Sequence, residues 1–79
     1  MNDTQIRVTA REIVAEILEL DGSELGDGVP FGDLGANSVQ QMEIVAELST
    51  RLGVEYSIRE ERLVQSIEDA VAISRTHLA

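Results

Sequence analysis

The stretch Phe31-Gly32-Asp33-Leu34-Gly35-Ala36-Asn37-Ser38-Val39 separates two kinds of sequence. Upstream, residues 21–37 hold five of the chain's six glycines and its one proline, Pro30, with turn signals at Asp21-Gly22, Asp27-Gly28 and Val29-Pro30. Downstream of Ser38, apolar residues recur at helical spacing with no glycine until Gly53. The stretch therefore ends a long loop and begins a helix. Loops of this length inside small domains are functional or disordered. Val29, Phe31 and Leu34 can pin this one to a core, which favours an ordered, functional loop.

The helix that opens at Ser38 is expected to run to Leu52, with Val39, Met42, Val45, Leu48 and Leu52 as its buried stripe and Gly53 as its terminator. Before the loop, Ile6, Ala10, Ile13, Val14, Ile17 and Leu20 mark one face of a helix over about residues 4–20. Asp3, Thr4, or Thr9 with Glu12 can cap it. After Gly53, Ser57 caps a short helical turn over 58–63. Ser66 with Asp69 then forms a capping box for a last helix over 67–77, whose inner face is Ile67, Ala70, Val71 and Ser74. No strand pattern or repeat is present. The expected fold is all-α, one domain over residues 1–79: a small four-helix bundle of three longer helices and one short one, with a long loop between the first and second.

Composition narrows the function. Fifteen acidic residues oppose six arginines, a formal charge of -9 across 79 residues. That balance repels phosphate backbones and argues against nucleic acid. It suits partners with basic faces. Hydrophobic residues make up 43% of the chain, too many for a disordered acidic tail. With Phe31 and Tyr56 the only aromatics, the core must be aliphatic. The absence of cysteine excludes disulfides and thiolate metal sites. No apolar stretch approaches the roughly 20 residues of a membrane span, and no signal-peptide core follows Met1. A cytoplasmic monomer is the expectation. The start near Met1 and a helix reaching almost to Ala79 favour a free-standing protein.

Few residues carry chemistry. His77, the only histidine, has no catalytic partner at interpretable spacing and reads as an exposed helix-end residue. Gly26-Asp27-Gly28 follows no strand and sits among acids, unlike a phosphate loop. The Asp21-Gly22-Ser23 start of a calcium loop lacks its bidentate carboxylate, because Gly32 occupies the twelfth position. Glu43 and Glu47 lie one helical turn apart and read as a solvated face, with Arg51 able to pair with Glu47. Arg59 and Arg62 are expected to form a small basic rim.

Ser38 is less ordinary. A serine opening a helix is usually its cap. Here Asn37 can take that role, the preceding Gly35 and Ala36 leave the hydroxyl approachable, and the helix N-terminus favours a phosphoester by about 0.3–1 kcal/mol. No base is nearby in sequence, so Ser38 is better placed to be modified than to catalyse.

The quoted stretch resembles the attachment motif of acyl carrier proteins: an aromatic residue, two variable positions, Leu-Gly, a small residue, Asp or Asn, the modified Ser, and an apolar residue. The helix order extends the resemblance over nearly the whole chain. It implies that Ser38 receives 4'-phosphopantetheine from coenzyme A through a phosphopantetheinyl transferase. The arm's thiol would then carry acyl groups as thioesters between acyltransferase, ketosynthase or other pathway enzymes, and the carrier itself would catalyse nothing. The resemblance places Asn37, Val39, Gln40, Met42, Glu43 and Glu47 at partner-facing positions. Asn37 stands where Asp is commonest in this family, and Gln40 stands where an acidic residue is frequent. Residues 1–38 carry eight acids and two arginines (-6), residues 39–79 seven acids and four arginines (-3), so the second helix is less acidic than usual. The wording Ala-Asn-Ser-Val resembles discrete carriers of polyketide or related secondary-metabolite pathways. The alternatives are a peptidyl or aminoacyl carrier and an unmodified acidic interaction module. Small residues at Ala46, Ala70 and Ser74 are expected to leave room inside the bundle for a short acyl chain.

Overall fold

A computed structural model describes residues 1–78. Its helices are α1 (Asp3–Leu18), α2 (Ser38–Leu52), α3 (Ile58–Leu63) and α4 (Ile67–Leu78), and the described residues contain no strand. The all-α architecture agrees with the sequence reading, and α2 and α3 have the expected bounds. α1 packs along both α2 and α4 and is the central element of the bundle.

Local chemistry sets each helix end. α1 starts a residue early because Asn2 caps it: its side chain accepts the N–H of Gln5 at 2.9 Å, and Gln5 Oε1 accepts the N–H of Asn2. None of the three candidates read from the sequence fills that role. α1 also ends before residue 20, since Glu19 turns into the left-handed region at φ 54° and Leu20 donates its N–H back to the Ala15 carbonyl. Gly53, at φ 65°, terminates α2. Ser57 and Glu60 close a reciprocal box at the head of α3. At α4, Ser66 accepts the Asp69 N–H as expected, but the Asp69 carboxylate takes the Gln65 N–H instead of that of Ser66.

The core is aliphatic around Phe31 and draws on Ile6, Ala10, Ile13 and Val14 of α1, and on all four inner residues expected of α4. Ile17 and Leu20 are only half-buried. Two of the five residues expected in the buried stripe of α2 are exposed. Its buried residues are Ile44, Val45, Leu48 and Leu52, whereas Val39 and Met42 are 64% and 71% exposed. α1 packs against α2, whose buried face runs through Ile44 and Leu48. Val39 and Met42 lie rotated away from that face.

The long loop is ordered by three anchors. It contains two short 3-10 turns, at Gly22–Glu24 and Phe31–Leu34. Arg7 and Arg11 of α1 both reach the Asp27 carboxylate, Arg7 at 2.9 Å, and Arg7 continues to Glu68 of α4 at 2.8 Å. Burial alone would raise the Asp27 carboxyl, but the hydrogen bonds from Arg7 and Arg11 outweigh it and hold the group below the ordinary carboxylate range. Phe31 is fully buried, and its N–H donates to the Gln65 carbonyl at 2.7 Å. The expected pinning through Phe31 is present, with Val29 and Leu34 half-buried beside it.

Candidate functional site

Ser38 is exposed at the first position of α2. Three local features leave its hydroxyl available. Asn37 is the cap: its Oδ1 accepts the Gln40 N–H at 2.8 Å, and Gln40 Oε1 accepts the Asn37 N–H at 3.0 Å. The chain reaches this cap through Gly35 at φ 99°, a conformation that any side chain would strain. Ala36 is buried, with its N–H on the Phe31 carbonyl, so the backbone turns inward immediately before Asn37 and Ser38 face out.

The first turn of α2 contains no acidic residue. In a chain of net charge -9 this leaves the helix N-terminus, with its partial positive charge, uncancelled next to Ser38. Gln40, where an acid is frequent in carriers, has a structural role here: its amide is consumed in the cap.

Beside Ser38 lies an open groove of about 320 Å³ between α2 and α3, walled by Met42 and Val45 on one side and by Arg62, Val64 and Gln65 on the other. A second pocket of about 250 Å³ continues past Val45 toward Tyr56 and Ser49. Ala46 lines this second pocket and is exposed, which corrects its expected place inside the bundle. Ala70 and Ser74 are inside, as read.

The other residues singled out from the sequence divide. Val39, Met42 and Glu43 are exposed on the outer side of α2 close to Ser38. Glu47 is engaged within the molecule: Arg51 donates to it at 2.9 Å and to Glu16 of α1 at 2.7 Å. The Arg51–Glu47 pair was expected; its continuation to α1 was not. Exposed Ile58 and Leu63 on α3, at 71% and 52%, extend the apolar surface, and no periodicity in so short a helix could have singled them out. His77 has a partner that sequence spacing hid, Glu60 of α3 at 2.8 Å, and its ring stands edge-on to Tyr56.

An exposed serine hydroxyl freed from capping, at an acid-free helix head with a long groove beside it, fits a covalent phosphoester arm. A family model described as a phosphopantetheine attachment site matches residues 9–71. The chain belongs to the phosphopantetheine-attachment family. It is thus a phosphopantetheine-carrier protein, and 4'-phosphopantetheine is the cofactor that the family attaches covalently. The match spans α2 and α3 completely, together with most of α1 and the first part of α4, so loop, attachment stretch and groove all lie within the family region. Carrier domains of this family are generally non-catalytic and interact with enzymes and with a modifying transferase. No helix among the described residues is long and apolar enough to cross a membrane.

Proposed function

We propose that Ser38 is the attachment residue and that this carrier holds acyl intermediates for enzymes of polyketide or related secondary metabolism. The observation that carries the assignment is the division of labour between neighbours: Asn37 caps α2, and Ser38 stands exposed beside it with no structural duty. In the loading step a phosphopantetheinyl transferase exchanges the Ser38 O–H for an ester to the phosphate of the arm, as the nucleotide part of coenzyme A leaves. When bound, the arm supplies a terminal thiol that holds acyl groups as thioesters.

The chain's own residues supply the rest. The uncancelled helix N-terminus favours the phosphate charge by about 0.3–1 kcal/mol. Val39 and Met42 offer an apolar contact next to the attachment point, and Glu43 a free carboxylate for a partner's arginine or lysine. An acidic protein meeting basic docking faces associates quickly and releases readily, as a shuttle requires. The protein is read as a cytoplasmic monomer that catalyses no step itself.

Incubation with coenzyme A and a broad-specificity phosphopantetheinyl transferase, followed by intact-mass measurement, tests the assignment. The wild type should gain one phosphopantetheinyl group and Ser38→Ala none. Modification that persists in Ser38→Ala would overturn the residue assignment. No gain with several transferases would favour the unmodified interaction module. The mass of the loaded form from the native pathway separates acyl from aminoacyl cargo.

A further inference from the structure

Four of the six arginines are spoken for by carboxylates. Arg7 and Arg11 hold Asp27, Arg51 holds Glu16 and Glu47, and Arg75 holds Asp3. Among the described residues only Arg59 and Arg62, both exposed on α3, have no ion-pair partner. Arg62 alone of these two lines the groove that begins at Ser38. In a chain of charge -9, an arginine left without a carboxylate beside a serine assigned a phosphodiester is available for that negative charge.

The surroundings agree. Glu61, the other charged residue of this groove, also borders the pocket near Tyr56 and Ser49, which Ser38 does not line; Arg62 borders only the Ser38 groove. Gln65 donates its side-chain N–H to the Arg62 carbonyl at 3.1 Å, and its own carbonyl accepts the Phe31 N–H at 2.7 Å. The backbone that carries Arg62 is thereby tied to the attachment loop, although α3 buries none of its six residues.

Resting on the assignment of Ser38, we infer that Arg62 is the positioning residue for the arm: its guanidinium pairs with the phosphodiester on Ser38 and biases the arm toward the α2–α3 groove. The groove walls suit the remainder of such an arm, with Met42, Val45 and Val64 for its methyl and methylene groups and Gln41 and Gln65 for its amides. An exposed ion pair of this kind is weak, which lets an enzyme draw the arm out. The pairing should weaken with added salt.

The test uses the full chain, enzymatically loaded and checked by intact mass. Two readouts are followed on converting apo to holo protein: the amide shift changes of residues 62–65 and the 31P resonance of the phosphodiester. In Arg62→Gln the docked-to-free ratio of the arm should fall about twofold, the scale of an exposed pair, with smaller amide changes and a moved 31P signal. Arg62→Lys should retain most of the effect, and Arg59→Gln should match wild type. Raising salt should shrink the amide changes in wild type and leave Arg62→Gln unaltered. Equal amide changes in wild type and Arg62→Gln, or an equal loss in Arg59→Gln, would overturn the role of Arg62 while leaving Ser38 standing. Absence of any mass gain would overturn both assignments.

Discussion

The Glu60 carboxylate joins α3 to the far end of the chain. Its Oε1 accepts the Ser57 N–H at 2.9 Å, and its Oε2 lies 2.8 Å from Nε2 of His77 in the last turn of α4. α3 buries none of its own residues, so the contact with His77 and the buried residues that flank it, Val54 and Val64, hold it against the bundle. Tyr56, between them, stacks edge-on to His77 and shares a 2.5 Å hydrogen bond with the buried Ser74. The wall of the Ser38 groove is therefore fastened by polar contacts at its rim.

The Glu60 carboxyl responds to these contacts. The Ser57 N–H first, and His77 second, hold the Glu60 carboxyl below its ordinary range. A carboxyl lowered in the folded state stabilises the fold above its unfolded pKa and loses that contribution as pH falls through the folded value. Glu60→Gln keeps a cap acceptor but loses the charge. It should lower the urea midpoint at neutral pH and speed hydrogen exchange in α3, and its deficit against wild type should close in acid. A deficit independent of pH would contradict the ionic role.

Asp27 fastens the long loop in the same way but from α1. Asp27→Asn should cost about 1 kcal/mol at neutral pH, a figure kept low because the carboxylate is partly exposed. Since its folded pKa is also depressed, the loss should disappear as pH falls below the ordinary carboxylate range. Urea denaturation of wild type and variant at several pH values reads both the size and the sign.

The cap at Asn37 and the attachment proposed at Ser38 should prove separable. Asn37→Ala should destabilise by about 1 kcal/mol, a drop of about 4–8 °C in Tm for a domain of this size, and should remain loadable where folded. Ser38→Ala should stay within about 0.5 kcal/mol of wild type yet accept no phosphopantetheine. Thermal melts paired with intact-mass measurements check both. A large stability loss in Ser38→Ala would mean that Ser38 shares the cap.

The two apolar faces of α2 should respond in opposite ways. Ile44 has no exposed surface, so Ile44→Ala should cost about 2–5 kcal/mol, enough to unfold much of a small domain. Met42, 71% exposed, should tolerate Met42→Ala within about 0.5 kcal/mol of wild-type stability. Circular dichroism on both variants distinguishes them.

Helix content, the bounds of α2 and α3, the ordered loop and Asn37 as the cap beside Ser38 were legible because each rests on local chemistry. Periodicity, cap residues and glycine position act over a few neighbours and are written in order along the chain. Periodicity also misled. Val39 and Met42 share helical spacing with Val45 and Leu48, but burial depends on where α1 lies, and the buried face of α2 is the one through Ile44, Val45, Leu48 and Leu52.

By itself, then, the sequence determined four helices, an acidic surface and a serine released from capping by the asparagine before it. Tertiary structure decided which apolar residues face inward, which arginines are neutralised and what lies beside Ser38. Arg62 reaches the groove, Glu60 meets His77, and Arg7 and Arg11 converge on Asp27 only when distant segments pack together. Charge pairing across such separations depends on side-chain direction after packing, which spacing along one helix does not encode.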